Sequence, residues 1–151
     1  MGAIASGGVR VLNSDLVERV AVPPEAVEAA TVVQREVLQE RERDYRGGRP
    51  PPDVRGKTVI VVDDGLATGA TMRAALAALR VQGPSRLVVA VPVAPSETCV
   101  ELLADADEVL CAHTPDPFHA VGLWYGDFSE TTDEEVSQLL ANARTAQARS
   151  P

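Results

Sequence analysis

The stretch Val59–Thr71, VIVVDDGLATGAT, decides the fold. Four β-branched residues run together, two aspartates follow, and small residues and threonines come at once after them. An apolar run without polar alternation reads as a strand buried on both faces, here Thr58–Val62. Gly69 then opens a helix that runs to about Val81, where Gly83-Pro84 ends it. In an open parallel sheet, ligands sit beyond the carboxyl ends of the strands. Asp63 and Asp64 fall at such an end.

Outward from this stretch, strands and helices alternate. Leu87–Val93 is a second buried strand and Glu108–Ala112 a third. Ser96 caps a helix that runs to Ala104, with Glu97 in its first turn. A final helix spans Thr132 to about Ala146, and the last few residues are expected to fray. On the amino-terminal side, residues 2–5 and 9–12 read as extended around a Gly7-Gly8 turn. A short helix covers Asp15–Val20, with Asn13 or Ser14 as its cap. Pro23-Pro24 opens a longer one, about Glu25 to Tyr45, with Val27, Ala30, Val33, Val37 and Leu38 at helical spacing. Its end, QERERDYR, is almost wholly polar and is expected to project into solvent. Three consecutive prolines, Pro50 to Pro52, make the next segment a loop. Strands separated by helices in this way predict an α/β fold, a parallel sheet with helices on both faces. The 151 residues suit one domain, residues 1–151.

Bulk properties narrow the partners. The net charge is -8, and Lys57 is the only lysine. That balance argues against a general nucleic-acid or membrane-surface binder. No apolar run approaches the length of a membrane span. Cys99 and Cys111 do not make a disulfide framework, and a reducing cytoplasm is the expected location. The start MGAIAS fits a myristoylation pattern but equally a strand, and no polybasic stretch follows it.

An anionic small molecule would need a local device, and the loop after Asp64 supplies one. The first amides of a helix lack internal partners and carry the positive end of its dipole, so they attract phosphate. Gly69 lets the backbone come close, and Thr68 and Thr71 add hydroxyls. Carboxylates one turn away suit sugar hydroxyls or magnesium rather than a diphosphate. This order predicts a sugar phosphate, with hydroxyls on Asp63 and Asp64 and phosphate on Ala67, Thr68, Gly69, Ala70 and Thr71. Neither a Walker loop nor a dinucleotide fingerprint is present.

Four of the five aromatics fall in one segment: Phe118, Trp124, Tyr125 and Phe128. Trp124 and Tyr125 are candidates to stack on a flat base, which is worth roughly 1–3 kcal/mol per ring. The competing reading is an apolar cluster that pins a proline-rich loop, favoured for Phe118 and Phe128. Cys111, His113 and His119 match no standard zinc spacing. His119 is a candidate weak general acid near a base or ribose. Arg46, Arg49 and Arg55 read as solvated surface.

VIVVDDGLATGAT resembles the phosphoribosyl-pyrophosphate (PRPP) motif of the type I phosphoribosyltransferases. RGGRPPPDVRGKTVIVVDDGLATGATMRAAL and PDPFHAVGLWYGDFSETTDEEV are similar to a stand-alone bacterial group of that family. The resemblance implies a three-layer, Rossmann-like parallel-sheet domain. It implies ribose binding by Asp63 and Asp64, 5-phosphate binding by Ala67 to Thr71, and Mg2+ held through the substrate and by Asp63 and Asp64. The implied reaction transfers the phosphoribosyl group of PRPP to a nucleobase-like acceptor and releases pyrophosphate. The segment after the last core strands would form a hood over that base. The implied alternatives are a non-catalytic PRPP or nucleotide-binding regulator and an inactive truncated domain. A homo-oligomer is compatible with each.

Two positions depart from the family. Gly65 stands where an aliphatic residue is usual. Ala67 stands where the 6-oxopurine salvage enzymes carry an aspartate, which argues against hypoxanthine or guanine as acceptor. MGAIASGG is similar to an internal strand of the family domain, so the chain corresponds to about its carboxyl two-thirds. The family's first strand and its pyrophosphate loop, often Arg-Gly-Gly, would precede it. The expected consequences are an open apolar edge on Thr58–Val62 and a strand 2–5 without a neighbour.

Overall fold

A computed structural model describes residues 2–147, so the expected fraying beyond about residue 147 lies outside the described residues. The chain begins with an antiparallel hairpin. β1 (Gly2–Ala5) pairs with β2 (Val9–Leu12), with Gly2 opposite Leu12 and Ala5 opposite Val9. Strand 2–5 therefore has a neighbour, contrary to expectation. Gly7 and Gly8, both at φ +79°, make the sharp return that such a short hairpin needs.

α1 (Ser14–Arg19) and α2 (Pro24–Arg46) follow. The carbonyl of Asn13 accepts the first helical bond of α1, from the Val17 amide at 3.0 Å. Pro24 opens α2 at a position where a missing N–H costs nothing, and left-handed Gly47 (φ +57°) closes it. The polar end of α2 does not project freely. It carries Arg41 and Tyr45, which meet Asp133 of α5 (Asp133–Gln147), and Glu42, which accepts from Ser6 in the hairpin turn. The Arg144 guanidinium donates to the Tyr45 carbonyl at 2.8 Å.

The main sheet is parallel, in the order β3 (Thr58–Val62), β4 (Arg86–Val93), β5 (Glu108–His113). Val59 sits beside Leu87, and Val89 beside Val109. The crossovers are α3 (Ala70–Arg80) and α4 (Ser96–Leu102). Pro95, not Ser96, holds the cap position of α4, and no side chain caps it. Leu66, Met72, Leu76, Leu87, Val89, Val91 and Leu102 form one buried cluster, with Val59, Val61 and Val109 packed against it. Both crossover helices therefore lie on the same face of the sheet. The hairpin packs on α3, and α2 packs on the hairpin.

The opposite face is bare among the described residues, where the sequence predicts a further layer of helices. Ile60, Val62 and Leu110 are 61, 71 and 53 % exposed. β3 is also less buried than its lack of alternation predicts: Val59 and Val61 turn inward while Thr58, Ile60 and Val62 are exposed. The reason is position. β3 pairs with β4 on one side only, whereas the doubly flanked β4 is buried along most of its length. An apolar strand with an unpaired edge is a pairing hazard.

The two cysteines are bonded to each other. Cys99 of α4 and Cys111 of β5 form a disulfide with their Cα atoms 6.7 Å apart. The pairing was not legible from their spacing, and it removes the cysteine argument for a reducing compartment. No described helix is long and apolar enough to cross a membrane.

Candidate functional site

β3 delivers Asp63 and Asp64 to its carboxyl end, beside the carboxyl end of β4. The turn after them is tied to the sheet, because the Leu66 amide donates to the Val93 carbonyl at 3.0 Å. Leu66 itself is buried in the core cluster and anchors the loop from below. Asp63 is half-buried and Asp64 is exposed. Burial pushes the Asp63 carboxyl above its ordinary value. The Asp64 amide, which donates to Asp63 Oδ1 at 3.0 Å, opposes this, and the neighbouring Asp64 charge adds to it.

Ala67, Thr68 and Gly69 then wrap into the start of α3. Gly69 is in the left-handed region at φ +68° and is buried. A Cβ there would lie 3.2 Å from Thr98 Cγ2. Thr98, buried on α4, donates its hydroxyl to the Ala67 carbonyl at 2.9 Å. Among the described residues, no backbone carbonyl takes the amides of residues 67–71. Thr68 and Thr71 are exposed, and Gly69 O already accepts the Arg73 amide at 2.9 Å. The result is a set of N–H groups without a backbone carbonyl partner at the amino end of α3, with Thr98 of α4 holding the loop. Thr98 was not singled out by sequence, since a threonine on a short helix carries no local mark of a partner 31 residues away.

The aromatic segment comes down onto the acidic turn. The Tyr125 hydroxyl donates to the Asp64 carbonyl at 2.5 Å. Tyr125 and Phe128 have ring centroids 5.1 Å apart, and Trp124 sets an edge against His113, 5.0 Å away, at the end of β5. Trp124 remains 45 % exposed and Tyr125 36 %. His119 is exposed. Arg49 and Arg55 are exposed, away from the acidic turn in sequence and tied to their own loop: the Arg49 guanidinium donates to the Arg46 carbonyl, and the Arg55 amide donates to Asp53 Oδ1.

Among the described residues no group of three or more His, Cys, Asp or Glu side chains could hold a metal ion. Asp63 and Asp64 nevertheless offer the all-oxygen donors that magnesium takes. A pair fits an ion whose other ligands are water and substrate oxygens. A separate groove of about 590 Å³ runs between the hairpin and α2, lined by Ile4, Leu12, Val27 and Leu38, and it reaches the loop before α3 at Thr71.

Comparison with known proteins agrees with this arrangement. The family model for the phosphoribosyl transferase domain matches residues 3–123. A Mycobacterium tuberculosis protein named "Putative phosphoribosyl transferase Rv0571c" is 41 % identical over 142 residues, which are 94 % of this chain and 32 % of the relative. "Bifunctional protein PyrR" of Brevibacillus brevis is 41 % identical over 76 residues, 49 % of this chain and 41 % of that protein. The crystal structure of TT1426 from Thermus thermophilus superposes with a TM-score of 0.72 at 41 % identity, over 92 % of this chain and 65 % of that one. The chain thus spans about a third of the mycobacterial relative's length. With the family model matched over most of its length, this chain belongs to the phosphoribosyl transferase domain family.

Proposed function

We propose that the chain binds PRPP or ribose 5-phosphate with Mg2+ and takes part in transferring the phosphoribosyl group to a nitrogenous base. The observation that carries this reading is the adjacency of the acidic pair to the unpaired amides of residues 67–71. Asp63 and Asp64 accept hydrogen bonds from the ribose hydroxyls. The amides of residues 67–71 and the hydroxyls of Thr68 and Thr71 hold the 5-phosphate. Magnesium, when bound, neutralises charge on the departing pyrophosphate.

In the transfer, the bond from the anomeric carbon to pyrophosphate oxygen breaks and a bond to the acceptor nitrogen forms. The acceptor's proton leaves to solvent or a nearby base. The charge that develops on the sugar is oxocarbenium-like, so orientation of the ribose and stabilisation of the leaving group set the rate. Trp124 and Tyr125 are the rings available to an acceptor base beside the ribose. The acceptor has a nitrogen nucleophile and, given Ala67, is not matched to a 6-oxopurine.

The test is pyrophosphate release from PRPP and Mg2+ across a panel of bases, run beside calorimetry with PRPP. Base-dependent release supports the transferase. PRPP binding without release against any base identifies a PRPP-responsive binding protein instead. Absence of binding to both PRPP and ribose 5-phosphate removes the reading.

A further inference from the structure

The acidic turn is not held by its own strand alone. Among the described residues β3 pairs with β4 alone, so no second strand there braces the turn at its tip. The bracing comes from the segment 121–128. The Tyr125 hydroxyl donates to the Asp64 carbonyl at 2.5 Å, across 61 residues of sequence. Beside it, Gly65 is buried, and a Cβ on Gly65 would lie 2.6 Å from Val121 Cγ1 and 2.9 Å from the Val93 carbonyl. Val121 therefore seats in the space that any side chain at position 65 would fill. This gives the glycine a physical reason.

The brace is anchored on β5 and packed within itself. Trp124 sets an edge against His113 on β5, and the Phe128 ring lies over Gly122, where a Cβ would be 2.7 Å from Phe128 Cδ1. A hydroxyl donating to a carbonyl and a methyl seated against the glycine that follows it hold the turn at two adjacent points. The Asp64 carbonyl and Gly65 belong to the peptide that directly follows the Asp64 side chain, so holding that peptide constrains the carboxylate.

We propose that Tyr125 is a positioning residue for the ribose-binding pair: its bond to the Asp64 carbonyl, together with Val121 seated on Gly65, sets the orientation in which Asp64 meets the sugar. The inference rests on the reading of Asp63 and Asp64 as ribose ligands. It assigns the tyrosine hydroxyl a task separate from any stacking by its ring.

Tyr125→Phe removes the hydroxyl and keeps the ring, and Tyr125 lies outside the buried core, so the variant should fold. Calorimetry is run with ribose 5-phosphate plus Mg2+ and, separately, with inorganic phosphate. Tyr125→Phe should weaken ribose 5-phosphate about 3–10-fold and leave phosphate affinity and Tm unchanged. In an Asp64→Asn background the same substitution should add nothing, because it acts through Asp64. Val121→Ala, which empties the socket, should weaken ribose 5-phosphate in the same direction with phosphate again unchanged. Ribose 5-phosphate affinity unaffected by Tyr125→Phe, while Asp64→Asn lowers it, overturns the positioning role alone. A Tyr125→Phe loss that persists in full on Asp64→Asn means that the hydroxyl contacts ligand directly, and it also overturns the role. If neither Asp63→Asn nor Asp64→Asn changes ribose 5-phosphate affinity, the ribose reading fails and takes this proposal with it.

Discussion

The loop after β3 and the distal half of α2 are held in opposite ways. Residues 63–71 are fixed by backbone geometry and a buried floor: a left-handed glycine, Leu66 in the core, Thr98 bonded to Ala67 O, and the Leu66 amide on β4. The end of α2 is fixed by exposed side chains reaching to distant elements, Arg41 and Tyr45 to Asp133 and Glu42 to Ser6. Along the whole of α2, Thr31 is the one buried residue. The first arrangement tolerates almost no change in shape. The second should tolerate a good deal, since exposed ion pairs contribute little each. The contrast teaches where ligand binding can be broken without unfolding the chain, and where the chain can be altered without touching the ligand.

The sharpest break is at Gly69. Gly69→Val puts a β-branched residue at φ +68° and drives a side chain toward Thr98 Cγ2, 3.2 Å from the first added carbon. The loop must leave its conformation, so ribose 5-phosphate binding should become undetectable by calorimetry. Circular dichroism should still report the parallel-sheet domain, because the core cluster lies below the loop. Retained affinity in Gly69→Val would mean that the phosphate sits elsewhere.

Asp63 sharpens the comparison within the site. Its carboxyl is raised chiefly by burial, so the folded protein holds the proton more tightly than the unfolded chain does. For such a group, the folded state loses stability as pH rises through the shifted value, and at neutral pH the buried charge is a net cost. Asp63→Asn keeps an oxygen for the Asp64 amide and removes that charge. It should raise Tm at neutral pH, and the gain should vanish in acid, where the wild-type carboxyl is already protonated. The same variant should weaken ribose 5-phosphate by about 1–3 kcal/mol, since charge-assisted bonds to hydroxyls are lost. Melting curves across pH and calorimetry at neutral pH check the two halves. A destabilised Asp63→Asn at neutral pH would contradict the burial argument.

What was legible in the sequence follows the same division. β3, Gly69 and α3 were readable because each is written in consecutive residues: a β-branched run, a glycine at a turn, an alanine-rich helix. The proposed site pattern from Asp63 to Thr71 is likewise written in consecutive residues. The exposure of Ile60 and Val62 was not, because whether a strand is central or at an edge depends on what pairs with it, and a run of valines looks alike in both places. In the sequence Tyr125 is a candidate either to stack on a base or to join an apolar cluster, and nothing near it points to Asp64. The bond between Cys99 and Cys111 depends on α4 folding back over β5. The polar tail of α2 was read as solvated because its partners, Asp133 and Arg144, lie on a helix nearly ninety residues on. Its charges are common surface residues until that helix is placed beside them.

The smallest effect is expected at that junction. Asp133 accepts from the Tyr45 hydroxyl and pairs with Arg41 at 3.4 Å, and both contacts are open to solvent. Asp133 also lies in the first turn of α5, where a negative charge faces the positive end of the helix dipole. Asp133→Ala removes all three interactions, yet water replaces each partner readily. Tm should fall by only about 1–3 °C, and ribose 5-phosphate affinity should not move. A local signal should nevertheless change. The hydrogen bond to Asp133 is the main reason that the Tyr45 phenol titrates above its ordinary range. Without Asp133 the pKa should drop back toward that of a free phenol. The ultraviolet titration is best read on Tyr125→Phe, which leaves Tyr45 as the only tyrosine. A phenol titration that stays in place in Asp133→Ala would show that α5 is not docked there in solution. A fall in ribose 5-phosphate affinity would show that the distal arm and the loop after β3 are coupled, against the independence their separate anchors imply.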